Sequence, residues 1–493
     1  MEAHQCIQSK EFLPQASSGS KIDSFSLAIR NIVFGWQGVI FLALAAFKGV
    51  SLWLVLWWHH PGEALSELIM YRRADIGLFQ LFGAASRFIF SEFQEIDKVG
   101  IGFFAHSLKG QPFGLAYAIF GIFGFVLLDI FFTMGYYTAI ASFLRWNGVS
   151  VLASRTIGLT VVTIEAVMAK FFDQVLHFSF SPLNFWTLRI PNECSGEFVY
   201  LIVLILASRV WIGKPGEQKW DWIAISFLGM FLLYAQPFDF DIIALLVGII
   251  WARRLIKFGS TEKIWGEIAL VCMLAGILIV PFIVSTVGMS PDTSRRYGFF
   301  PISRAHPLFI PQGWMLLLFL GVYQLFKRFA WFRETESEQS DTPGMAFLNA
   351  ASLSAWATLP ISCIILGKTS QTYHFFQSFE HTITLNWLLF FGLCMTALFN
   401  KLKKWFPPAK IRILITLLAL VSVPVFSWCV NDYDYHRRQH RSGYYDPGIP
   451  TYRNDFFDMA RFVKSNLSDK IQVLGTFDMA IHNWWLLTVR RYV

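Results

Sequence analysis

The chain predicts an all-α, polytopic membrane bundle of about eleven transmembrane helices, and three observations lead there. Apolar runs of membrane-spanning length recur from Ile32 to Val430, with most charges gathered in the gaps between them. Only 15% of the residues are charged, against roughly a quarter in soluble globular proteins, and mean hydropathy is +0.48. The 51 Phe and 19 Trp suit a surface in contact with lipid, with Trp at its interfaces. Hydrocarbon offers backbone N–H and C=O groups no partner, so each span must satisfy them internally and is helical.

Windows of about twenty residues place the spans near 32–58, 114–143, 150–170, 197–212, 222–237, 239–252, 265–289, 312–330, 345–366, 385–400 and 411–430. Residues 1–31 are polar and mixed in charge, without a cleavable signal peptide, so they read as a cytoplasmic tail and the first span as an uncleaved signal anchor. The 150–170 run carries Arg155, Glu165 and Lys170, and the pair over 222–252 turns around a short Gln236-Pro237 hinge.

Cytoplasmic loops hold an excess of Lys and Arg, which orients the spans. With the N-terminus inside, the inner loops contain Arg145; Lys214 and Lys219; Arg253, Arg254, Lys257 and Lys263; Lys327, Arg328 and Arg333; and Lys401, Lys403, Lys404 and Lys410. The short outer loops are poorer, apart from Arg295, Arg296 and Arg304 in the 290–311 loop. An odd span number then puts the C-terminus outside. The multi-pass domain is 32–430, and two outward segments are too long to be mere connections: 59–113 and 431–493.

The first outer loop contains amphipathic stretches at 63–70 and 76–93, with apolar residues at helical spacing as in helices lying along a membrane surface. The tail reads as a small α/β segment, with helical spacing over 452–465 and a strand pattern over 470–475. Roughly sixty residues make a marginal core alone. The segment stops at Val493 without a polar ending, as expected of a tail that is truncated or that completes its fold on the membrane domain.

The net charge of +8 accords with topology and lipid headgroup contact; no basic block interleaved with aromatics points to nucleic acid. Six single, scattered cysteines make neither a disulfide framework nor a zinc site. Gly367-Lys368-Thr369 imitates the end of a phosphate-binding loop, but Ser362 stands where the leading glycine belongs and an apolar span precedes it.

Outward-facing carboxylates carry what chemistry remains. Asp75 follows Arg72 and Arg73, and Glu92, Glu95 and Asp97 close the same loop. A carboxylate can deprotonate an acceptor hydroxyl or hold a divalent cation, while arginine binds phosphate. The competing reading is a solvated helix face with locally paired charges. Asp239 and Asp241 are a second candidate: in an extended loop they can flank a metal, whereas on a helix they diverge by about 200° and act as N-terminal acids against the dipole. Asp129 and Glu165 lie within apolar segments, where an ionisable group lines a substrate path or forms a structural ion pair. Arg295, Arg296 and Arg304, outward against the charge trend, ask for an anionic partner: a lipid-linked phosphate or ordinary anionic headgroups.

One span, a long amphipathic outer loop with acidic residues, a run of further spans and a small outer C-terminal segment together resemble the GT-C superfamily of integral-membrane glycosyltransferases. Locally, Phe178-Ser-Phe-Ser-Pro182 with the following span, and Gly229 to Tyr234 ending at an outer hinge, are similar to middle segments of bacterial members. The chain departs from that pattern in lacking an adjacent pair of acidic residues in the first loop. The resemblance implies a multi-pass protein of the bacterial inner (plasma) membrane that moves a sugar from a polyprenyl-phosphate donor to a glycan, lipid or protein acceptor at the outer face. A first-loop carboxylate would act as base, arginine would hold the phosphate leaving group, and a divalent ion, Mg or Mn, is the cofactor to expect if one is used. A transporter or lipid flippase, or a polysaccharide polymerase or ligase, are the alternatives; no convincing internal repeat of the transporter kind is visible.

Overall fold

The computed structural model describes residues 35–51, 119–175, 196–235, 237–287, 299–301, 343–366, 368–370 and 388–396, with short stretches near 32, 113 and 385, within 402–424 and near 462. These residues are helical apart from one short strand pair. The helices are α1 Trp36–Gly49, α2 Ile122–Trp146, α3 Val151–Val175, α4 Phe198–Ile212, α5 Lys219–Ala235, α6 Pro237–Phe258, α7 Glu262–Val287 and α8 Pro343–Leu366. β1 Phe299–Pro301 pairs antiparallel with β2 Lys368–Ser370, Phe300 opposite Thr369. All eight helices fall on predicted spans. The predicted span near 312–330, the first outer loop and the C-terminal α/β segment lie wholly or largely outside the described residues, and the span near 411–430 is described in part.

Two of the helical stretches, Phe123–Trp146 and Glu262–Pro281, are long and apolar enough to cross a membrane. They differ in setting: 61% of the first is buried inside the bundle, but only 11% of the second. The apolar surface of α7 therefore faces outward. It packs mainly on α5 among the described helices, with a smaller contact to α6, leaving Met273, Ile277, Val280 and Ile283 exposed along one side. Pro281 removes one backbone donor from this helix, and in the turn before it the Leu278 carbonyl accepts the Tyr234 hydroxyl at 2.8 Å. On α2, Phe123, Leu127 and Phe131 repeat at helical spacing and are likewise exposed.

At the centre stands α4, apolar all round and buried on most sides from Tyr200 to Trp211, as an apolar helix must be when neighbours surround it. It packs on α2, α5, α6 and α8. Near its start, the Phe198 ring meets Phe131, Phe132 and Tyr136 edge-on. This approach requires Gly135, where a Cβ would stand 2.6 Å from that ring.

Side-chain contacts show that α1 to α7 run alternately up and down and that α8 starts at the same end as α7. Gln37 at the start of α1 donates to Thr156 near the start of α3 at 2.9 Å, while Lys48 at the end of α1 meets Asp129 near the start of α2. Arg209 near the end of α4 stacks on Trp146 at the end of α2 and pairs with Asp221 near the start of α5 at 3.2 Å. Arg254 near the end of α6 joins the 213–218 turn to Glu267 near the start of α7. Trp211 packs on Phe347 near the start of α8. One end of the bundle thus gathers the starts of α1, α3, α5, α7 and α8 with the ends of α2, α4 and α6. Arg145, Arg209, Lys214, Lys219, Arg253, Arg254, Lys257 and Lys263 all lie there.

A single buried interhelical hydrogen bond is a small term in such a bundle, on average about 0.6 kcal/mol and at most about 1.7 in lipid. Thr156→Val, which deprives Gln37 of its acceptor, should therefore lower stability by about 1 kcal/mol. Unfolding of the purified chain in micelles measures it.

Candidate functional site

The end opposite the cations is where the predicted site belongs. Here α1 finishes and α2 begins, so the 52–111 segment leaves and returns at this end. The segment following α7 also emerges here and carries β1, which pairs with β2 just beyond α8. The ladder ties residues 299–301 to residues 368–370, just beyond Leu366. Helix followed by strand is the reverse of the phosphate-binding-loop order, so Gly367-Lys368-Thr369 has the wrong context for that motif. The residues Arg72, Arg73, Asp75, Glu92, Glu95, Asp97, Arg295, Arg296 and Arg304 themselves lie outside the described residues.

Asp239 and Asp241 are described, and they correct one expectation. The extended loop that a shared metal requires is instead the start of α6. Pro237 occupies the first helical position, where its fixed φ favours a helix and its missing N–H costs nothing, and Asp239 sits in the first turn. Asp239 is buried and Asp241 exposed, so the carboxylates diverge as helical geometry demands. The helix-dipole reading fits this pair. Glu197, before the start of α4, is a further buried carboxylate at this end.

Asp129 forms a buried ion pair. Its Oδ1 lies 2.8 Å from the Lys48 ammonium, which also donates to Thr133 Oγ1 at 2.6 Å, and both charged side chains are almost wholly enclosed. Charges are costly in such surroundings unless paired and hydrogen-bonded. The pair clamps α1 to α2. Sequence reading noticed Asp129 but passed over Lys48; two lone, opposite charges in apolar runs near the same end were the available signal. Glu165 lies on α3, and its side chain is outside the described residues.

The cationic end holds a second buried pair, also missed. Arg254, counted by sequence as one loop cation among several, is fully enclosed. Its guanidinium pairs with Glu267 and donates to the carbonyls of Val210 at 2.6 Å and Gly213 at 3.3 Å and to Gln218 Oε1 at 3.1 Å. The other Glu267 oxygen accepts the Gly216 N–H at 2.7 Å. Gly216 has φ +84°, a conformation that favours glycine. Arg253 donates to the Trp211 carbonyl at 2.7 Å and lies over its indole. Five arginine donors in a planar fork suit this many-sided role better than a lysine would.

No family model matches this chain, and no curated protein matches it at a significant level.

Proposed function

We propose that the chain is a polytopic membrane glycosyltransferase that moves a sugar from a polyprenyl-phosphate donor to an acceptor hydroxyl at the outer membrane face. The observation that carries the reading is the separation of the two bundle ends. Eight cationic side chains gather at one end, as the charge bias of cytoplasmic loops requires. The long first loop and the arginine-bearing loop after α7 attach at the other. The outward apolar faces of α2 and α7 support lipid as the surrounding solvent. The β1–β2 pair supports a further crossing: α7 and α8 both start at the cationic end, so the chain must return there between residues 302 and 342, and the apolar run 312–330 can do so.

On this reading Asp75 takes the acceptor proton, and arginines of the first and central outer loops hold the leaving phosphate. The lipid donor carries the energy, so no nucleotide site is needed. Mass spectrometry of lipids retained through purification tests the assignment. A polyprenyl-phosphate sugar is the expected result; an undecaprenyl-pyrophosphate glycan would replace transfer with polymerisation or ligation.

The topology makes its own prediction. Reporter fusions after Lys404 and after Asp446 should report opposite sides, the first cytoplasmic and the second outside. A cytoplasmic signal from the second would remove the tail from the outer face and refute an eleven-span count.

A further inference from the structure

Around the Arg254 knot, the surface at the cationic end has a composition that its interior does not explain. Lys214, Lys219, Lys257 and Lys263 are exposed, and the exposed acids on the same turns are Glu217 and Glu262. Asp221 and Glu267 are engaged by Arg209 and Arg254. Among these lysines stand large apolar side chains with little covering them: Trp220 is 73% exposed, Ile256 87% and Trp265 53%. The indole N–H of Trp265 donates to Ser260 Oγ at 2.7 Å, holding the polar edge of that ring against the α6–α7 turn. Beyond Trp265, the outward apolar face of α7 continues through Met273, Ile277 and Val280 to Ile283.

We infer that this corner is a docking surface for the anionic headgroups of the phospholipid leaflet at the cationic end. The order of chemistry along α7 selects the occupant. Lys263 and Trp265 come first and a purely apolar face follows, with a rise of about 27 Å from Trp265 to Ile283, close to the hydrocarbon thickness of a bilayer of about 30 Å. A phospholipid presents phosphate, interface and hydrocarbon in that sequence. A nucleic acid offers nothing for the apolar face, and a soluble acidic protein would leave it in water. The Arg254 pair fixes the 213–218 turn against the starts of α5 and α7, so the lysines of two turns are held on one corner instead of being ordered on binding. The inference rests on the membrane reading but not on sugar transfer.

The test uses the full chain in nanodiscs of phosphatidylcholine mixed with phosphatidylglycerol. Native mass spectrometry then counts the lipids that stay bound. Each basic residue near an anionic leaflet contributes about fivefold, so the wild-type chain should retain phosphatidylglycerol over phosphatidylcholine by at least about tenfold. The variant with Lys214, Lys219, Lys257 and Lys263 all changed to Gln should lose most of that preference, and high salt should weaken it in the wild type. A variant with the exposed acids of the same turns changed, Glu217 and Glu262 to Gln, serves as the comparison and should keep the preference. Equal retention of the two lipids by the wild-type chain, or equal loss in both variants, would overturn the inference. Failure of the chain to resist alkaline extraction from membranes would instead overturn the membrane reading on which it stands.

Discussion

Asp75→Asn should lower sugar transfer by about two to four orders of magnitude while donor binding survives, because the amide keeps the shape of the side chain but accepts no proton. Asp75 is the first choice for the base on three grounds of sequence: it lies in the first outer loop, follows Arg72 and Arg73, and opens an amphipathic stretch suited to headgroup depth. The donor phosphate must sit at that depth. The bundle adds a fourth ground, since both attachments of this loop are at the end away from the cations. Single-turnover assays with the purified chain separate the chemical step from binding. If Asp75→Asn transfers at the wild-type rate and an amide variant of Glu92, Glu95 or Asp97 does not, the base lies at the end of the loop. Full activity in all four variants would remove the carboxylate chemistry from this loop altogether.

Removing one member of either buried ion pair should be the most damaging change to the bundle itself. Arg254→Met leaves Glu267 enclosed without its cation and strips donors from the Val210 and Gly213 carbonyls; Lys48→Met does the same to Asp129. Breaking a buried pair in this way costs about 3–5 kcal/mol, chiefly because an uncompensated charge stays behind. Replacing both partners by apolar residues removes that charge, so Arg254→Met with Glu267→Leu, and Lys48→Met with Asp129→Leu, should recover most of the loss. Thermal unfolding in micelles of the two single and two double variants decides it. Double variants as unstable as the singles would show that packing at these positions, not charge, holds the helices.

The positions of the eight helices were legible in the sequence because each falls on a long apolar run. Their ends were not: α5 begins at Lys219 where the apolar window begins near 222, α6 continues to Phe258 beyond 252, and α7 begins at Glu262 before 265. A helix satisfies its own backbone whatever side chains it carries, so it need not begin or stop where the apolar stretch does. The Gln236-Pro237 hinge was legible, but the proline's second role, opening α6 and so carrying Asp239 and Asp241 on a helix, was not read from it. The buried pairs were illegible for a different reason. Lys48 and Asp129 are 81 positions apart, and only the antiparallel placement of α1 against α2 brings them to one depth. Arg254 resembled its neighbour Arg253 in every respect visible to sequence, yet one faces the 213–218 turn and the other an indole. Of the candidate site, the structure describes the ends to which the loops attach and the Asp239–Asp241 pair; the base and the phosphate-binding arginines rest on sequence.

The most direct measurement is transfer of radiolabelled sugar from a panel of polyprenyl-phosphate donors by the full chain in proteoliposomes. The account predicts that at least one donor gives up its sugar, only from the outer face and not in the Asp75→Asn variant. A folded, inserted and correctly oriented chain that transfers no sugar from any of these donors would contradict it.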